Sequence, residues 1–165
     1  MAATLTLDRL KRALRYDPGT GIFTRLESCG NQQPIGAAAG ALVRSGHRHI
    51  TIDGRRYQAH RLAWFYMHGR WPADQIDHAN NLPDDNRLVN LREATAAQNQ
   101  ANQGRKSNAR FLKGVSFDQK SGRFRARITQ MYRTETIGFF DTEEQAHAAY
   151  CRRAAELFGE FARAA

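Results

Sequence analysis

Between Ile76 and Asn99 the chain reads IDHANNLPDDNRLVNLREATAAQN, and the order of polar groups there constrains the fold more than any other feature. An adjacent pair, Asp77-His78, is followed by Asn90 twelve positions after the histidine and by Asn99 nine beyond that. Neighbours within a regular strand point to opposite faces, so a carboxylate and an imidazole that serve one site must stand where a strand gives way to a loop. Pro83 and the surrounding Asn and Asp residues supply the turn chemistry for that loop. Asn80, Asn81 and Asn86, with Asp84 and Asp85, read as turn formers, and Asn99 falls in a segment of helical spacing with Asn102 and Gln103 on the same face.

The four residues suit phosphodiester chemistry. Hydrolysis needs a group that takes a proton from water near neutral pH and a counter-charge for the phosphate and the leaving oxygen. Histidine, with an ordinary pKa of about 6.5, fits the first need. A divalent ion held by few protein oxygens fits the second. In residue type, order and spacing the segment resembles the HNH nucleases, whose site is a strand, a loop, a second strand and a helix around one divalent cation. The resemblance implies His78 as general base and Asp77 and Asn99 as ligands of Mg²⁺ or Mn²⁺. Asn90 would hold the loop and orient His78. The stretch AHRLAWFYMHG, with His60 and Arg61, also resembles the His-Arg-Leu segment that precedes the Asp-His pair in phage-type HNH nucleases. Its place at a helix start predicts packing for His60, and Arg61 stays open as a phosphate contact. His47, His49, His68 and His147 show no ligand spacing.

The charge balance points the same way. A formal charge of +9 and a pI near 10.2 favour a polyanionic partner. The longest uncharged apolar run, Ile35 to Val43, is far short of the roughly 20 residues of a membrane span. Two cysteines, Cys29 and Cys151, without a paired motif, fit a reducing, cytoplasmic setting in a bacterial host or phage-infected cell. The expected partner is double-stranded DNA, with no membrane and no small-molecule substrate.

The 165 residues allow one domain or two small ones. Leu7, Leu10 and Leu14 have helical spacing up to the turn signal Tyr16-Asp17-Pro18-Gly19. GIFTRL, GHRHITID and RRYQAH read as strands, with Asp53-Gly54 a hairpin turn. His60 to His68 reads as a helix capped by Gly69. From Asn99 to Leu112 the chain is polar and basic, which predicts a linker. KGVSF, RFRARITQ and TETIGFF then read as three strands broken at DQKSG and MYR. Thr142 and Gln145 suggest a capping box, and Ala146, Ala149, Tyr150, Ala154, Leu157, Phe158 and Phe161 form one apolar stripe.

In GRFRARIT the residues alternate, so Arg123, Arg125 and Arg127 share one strand face while Phe124, Ala126 and Ile128 share the other. Three like charges in a row on an open sheet are favourable beside an anion, and a sheet can enter the major groove. Residues 111 to 163 resemble the plant ethylene-response-factor (APETALA-type) DNA-binding domain in Lys113-Gly114-Val115, Gly122-Arg123-Phe124, Ile137-Gly138-Phe139-Phe140-Asp141-Thr142 and Ala149-Tyr150. That family reads DNA with its three-stranded sheet, which implies Lys113, Arg123, Arg125 and Arg127 as contacts. Ser116, Thr134 and Thr136 depart from its pattern, so base preference does not carry over.

The expectation is thus an α+β chain with an HNH nuclease unit of ββα-metal type over residues 1–105. A DNA-binding unit, a three-stranded antiparallel sheet packed on one helix, is expected over 110–165. The implied activity is metal-dependent hydrolysis of DNA phosphodiesters by a phage or mobile-element (homing-type) endonuclease. The alternatives are a sequence-specific DNA-binding regulator with a degenerate nuclease site and, from the same chemistry, an RNA-directed nuclease.

Overall fold

A computed structural model describes residues 5–28, 34–104, 109–130 and 133–163. The chain forms an α+β structure that divides into two compact units, Met1–Glu93 and Ala94–Ala165. Among the described residues no helix is long and apolar enough to cross a membrane.

In the first unit, α1 (Leu7–Ala13) starts at Thr6, whose hydroxyl accepts from Arg9 N. It ends earlier than the Leu7, Leu10, Leu14 spacing suggests. Leu14 already has extended backbone and opens β1 (Leu14–Asp17), which pairs antiparallel with β2 (Ile22–Arg25). Burying Leu10 inside the helix and Leu14 on the strand serves one core, so the apolar spacing survives a change of structure. β3 (Ala41–Leu42), β4 (Arg48–Ile52) and β5 (Arg55–Gln58) form an antiparallel sheet. Asp53 and Gly54 both take positive φ, 49° and 75°, as a type I′ turn between β4 and β5 requires. α2 (Ala59–His68) stops at Gly69 in the left-handed region. Leu10, Leu14, Phe23, Ile50 and Leu62 are the fully buried centre of this unit. β6 (Gln75–His78) and β7 (Leu91–Ala94) make a separate two-stranded sheet.

The second unit begins with α3 (Ala96–Asn102), closed at its start by a full capping box between Thr95 and Gln98. β8 (Val115–Asp118), β9 (Arg123–Gln130) and β10 (Arg133–Phe140) form an antiparallel sheet with β9 in the centre, and α4 (Glu143–Phe158) packs on it. Thr142 Oγ1 accepts from Gln145 N at the start of α4. Ala146, Ala149, Tyr150, Ala154 and Phe158 bury the helix face, with Phe161 in a following 3₁₀ turn. The linker expected from Asn99 to Leu112 is shorter than its composition suggests. Ala101 and Asn102 are buried in α3, and Ala101 joins the core made by Ile128, Tyr150 and Phe158. The first unit therefore ends near residue 93, whereas the sequence places that boundary near 105. Residues 105–108, and Met131-Tyr132 of the expected MYR break, lie outside the described residues.

Candidate active site

His78 is the last residue of β6, so the Asp-His pair does sit where a strand meets a loop. The loop that follows is tied at both ends by Asn90. Its Oδ1 accepts from Asn80 N at 3.0 Å, its Nδ2 donates to Asp85 O at 2.8 Å, and its backbone carbonyl accepts from Ala79 N at 2.9 Å. Within the loop, Asn80 Oδ1 accepts from Leu82 N, an Asx turn, and Asn81 takes a positive φ of 60°. The Asp85 carboxylate bonds Arg87 and Asn80, which holds its pKa well below the usual carboxylate range.

The β1–β2 hairpin docks on this loop. Tyr16 Oη donates to Asn86 O at 2.7 Å, and Leu88 N donates to Pro18 O at 3.1 Å. Gly21, at φ 75°, lies so close that a Cβ there would stand 2.5 Å from Arg87 N and Asn86 C. Only glycine combines that backbone with that approach. The result is a fixed position for Asn86, which is 1% exposed. Its Nδ2 donates to Asp84 O at 3.1 Å, which turns Oδ1 toward His78 Nε2 at 3.4 Å. An acceptor facing Nε2 pairs with the Nε2–H tautomer, leaving the lone pair on Nδ1. Sequence reading gave Asn86 a turn role and assigned the orienting of His78 to Asn90. In the structure Asn90 secures the loop, and the amide placed on the ring is that of Asn86. Burial lowers the His78 pKa, which keeps the ring neutral and able to accept a proton.

Asp77, 2% exposed, meets Arg92 of β7 through an Nε–Oδ2 contact of 2.9 Å. A buried carboxylate demands a counter-charge, and the guanidinium supplies it. Asn99 lies in the middle of α3, half-buried, with its backbone in the helix ladder. α3 groups with the second unit, so Asn99 belongs to that unit.

Two other imidazoles converge on that of His78. His47 precedes β4, His60 is the second residue of α2, and His78 ends β6. Ring centroids stand 5.2 Å apart for His47 and His60, 5.0 Å for His60 and His78, and 5.7 Å for His47 and His78. Each offers a ligand atom within 4.8 Å of the others. His60 is 5% exposed and its Nδ1 is buried without a hydrogen-bond partner. Burial, then the neighbouring imidazoles, push its pKa down to about 3, so it is neutral. Arg61, left open by the sequence, donates to Asp74 O at 2.8 Å. His47 and His60 come from separate elements, so no local spacing marks them. The His60-Arg61-Leu62 stretch is the signal available in the sequence, although its place at a helix start predicts packing.

On β9 of the second unit, Arg123, Arg125 and Arg127 share the outer face, while Ala126 and Ile128 are buried on the inner one. Arg125 stands between Ser116 of β8 on one side and Phe139 of β10 on the other, and Thr136 stands opposite Arg127. Arg125 Nε and Ser116 Oγ are both buried without a partner. Arg123 is paired with Asp141 at 3.0 Å. Lys113 is not on this face as a cation for phosphate: its Nζ donates to the carbonyls of Ala101 and Arg163, the latter at 3.1 Å. Those bonds tie α3 to the C-terminal end of the unit, and burial lowers the ammonium pKa.

Residues 57–101 match the family model described as HNH endonuclease. The matched stretch runs from β5 through α2, β6 and β7 into α3, and it contains Asp77, His78, Asn90 and Asn99. The chain is also 33% identical over 123 residues to an uncharacterized HNH endonuclease of Acanthamoeba polyphaga mimivirus, covering 73% of this chain and 63% of that protein. The chain thus spans less than two thirds of that viral relative. No solved structure gives a match.

A hard divalent ion would find one suitable donor in the buried Asp77 carboxylate, which Arg92 now neutralises. The imidazole triad is a different donor set, better suited to Zn²⁺ or its neighbours than to Mg²⁺.

Proposed function

We propose that the chain is an HNH endonuclease that hydrolyses phosphodiester bonds of double-stranded DNA. The observation that carries this reading is His78 at the end of β6. It is buried, oriented by Asn86 and fronted by a loop that Asn90 holds, inside a segment that matches the HNH endonuclease family. In this reading Nδ1 of His78 takes a proton from water as the hydroxyl oxygen forms its bond to phosphorus and the bond to the leaving oxygen breaks. Asp77 and Asn99 are the proposed oxygen ligands of Mg²⁺ or Mn²⁺. Such an ion, when bound, supplies Lewis acidity at the phosphate and a counter-charge for the leaving oxygen. Arg92 is a counter-charge for Asp77 that an ion would displace.

The sheet β8–β10 is the proposed DNA-reading surface, with Arg125 and Arg127 toward bases and Arg123 toward phosphate. It is the part that resembles ethylene-response-factor domains. A viral relative and a high positive charge support a phage or mobile-element endonuclease working in the cytoplasm of a host cell. The Asp77–Arg92 pair also favours a second reading, a DNA-binding regulator in which the guanidinium permanently replaces the ion.

Incubating the full chain with supercoiled plasmid, with and without Mg²⁺, separates the two. Nicked or linear product that needs Mg²⁺ supports the nuclease. Unchanged plasmid that is nonetheless bound supports the regulator.

A further inference from the structure

Three histidines that share no sequence spacing are brought to within reach of one ion, and one of them carries a buried nitrogen without a hydrogen-bond partner. His60 Nδ1 has no hydrogen bond, an arrangement that costs free energy unless something completes it. The other two rings are oriented from outside the cluster. His47 Nδ1 stands 3.0 Å from Ser45 Oγ, and His78 Nε2 faces Asn86 Oδ1. A metal-bound imidazole is typically steadied in this way through its second nitrogen. A tetrahedral site with Zn–N bonds of about 2.0–2.1 Å needs ligand atoms about 3.3 Å apart. The present separations, up to 4.8 Å, require a small inward movement, and His47, half-buried in the turn before β4, is placed to make it.

The geometry points to a second metal site: His47, His60 and His78 bind one borderline divalent ion of the Zn²⁺ class, and that binding silences the nuclease. The inhibitory half of this inference rests on the proposed role of His78 as base. The argument is one of a shared lone pair. A neutral imidazole carries one lone pair, and a His78 ring that gives it to a metal has none left to take a proton from water. It cannot do both. Mg²⁺ prefers carboxylate, carbonyl and water oxygens, so it leaves the three imidazoles alone. Zinc and magnesium would therefore act on the same protein in opposite directions.

The test uses the full chain stripped of metal. Titration with Co²⁺, followed by its visible d–d absorption, should give a tetrahedral-type spectrum that saturates at one ion per chain. Zn²⁺ should abolish that spectrum and millimolar Mg²⁺ should not. His47→Ala should lose the spectrum or weaken Zn²⁺ binding by on the order of tenfold or more. His60→Gln, with circular dichroism as a check on folding, is the second variant. In plasmid cleavage with Mg²⁺, Zn²⁺ should inhibit the wild type over the range in which it displaces Co²⁺. His47→Ala should cleave without Zn²⁺ and need at least tenfold more of it for inhibition.

A protein that gives no Co²⁺ spectrum, or gives the same one after both substitutions, overturns the site whatever its nuclease activity. A site that binds Zn²⁺ while cleavage by wild type and His47→Ala responds identically overturns the inhibitory role. Activation by Zn²⁺ alone does so too. Zn²⁺ binding in a chain that never cleaves DNA upholds the site and overturns the nuclease reading with the inhibition built on it.

Discussion

The loop between β6 and β7 and the sheet β8–β10 use polar residues in opposite ways. At the end of β6 and in the loop that follows, Asp77, His78, Asn86 and Asn90 are all buried, and each is placed by hydrogen bonds or an ion pair. On β9 Arg123 and Arg127 are exposed, Arg125 is half-buried, and the fully buried residues are small or apolar. Buried polar groups are costly unless satisfied, so each one fixes its neighbours. The charged strand face fixes less of the protein, with Arg123 meeting exposed Asp141, and leaves charge available to an anion. The first arrangement suits chemistry, where an atom must stand in one place. The second suits binding, where charge must be available.

The sharpest way to break this contrast is Asp77→Ala. It removes a proposed metal ligand and the Asp77–Arg92 ion pair, so cleavage should fall by more than about 100-fold. The hydrogen bonds to a charged group that it deletes should lower stability by about 1–3 kcal/mol. Metal titration of the residual activity checks the assignment: an unaltered Mn²⁺ dependence would remove Asp77 as a ligand. On the sheet side, Gly114→Ala should be nearly as damaging for a different reason. Gly114 has a φ of 78°, and a Cβ would stand 2.1 Å from Tyr150 Cδ2. Left-handed strain of about 1–3 kcal/mol adds to overpacking of similar size. Thermal unfolding should show the second unit destabilised, and DNA affinity should drop while the chain keeps its catalytic residues.

Smaller effects sharpen the division. Arg125→Ala and Arg127→Ala should each cost roughly 1–3 kcal/mol on the preferred duplex and little on random DNA. Affinities for both duplexes, measured side by side, check this, and equal losses on both would make these residues phosphate contacts. Arg123→Ala should have the least effect. Its guanidinium is half satisfied by exposed Asp141, so it should weaken all sequences alike and flatten the salt slope by about one unit.

How much could be read from the sequence follows the same line. The alternation of β9, the hairpin turn at Asp53-Gly54 and the end of α2 at Gly69 are local patterns, and the structure repeats them. The Asp77-His78 pair at a strand end is local too. What escaped is long-range. Asn86 reaches His78 because Tyr16, Pro18 and Gly21 hold its loop from far away in sequence. His47 and His60 meet His78 only through tertiary packing. α3 has a polar sequence that suggests the start of a linker, yet Ala101 is buried in the second core with Ala97 packed against it. Lys113 looked like a DNA contact by resemblance, and backbone carbonyls of its own unit claim it instead.

The central claim is that His78 acts in the chemical step and contributes little to binding. Single-turnover cleavage by wild type and His78→Ala at saturating DNA, with affinity for the same DNA measured alongside, tests it most directly. The account predicts a rate lower by about 10²–10⁴-fold with affinity unchanged within a few-fold. Cleavage by His78→Ala at the wild-type rate, or affinity lost in step with rate, would contradict it.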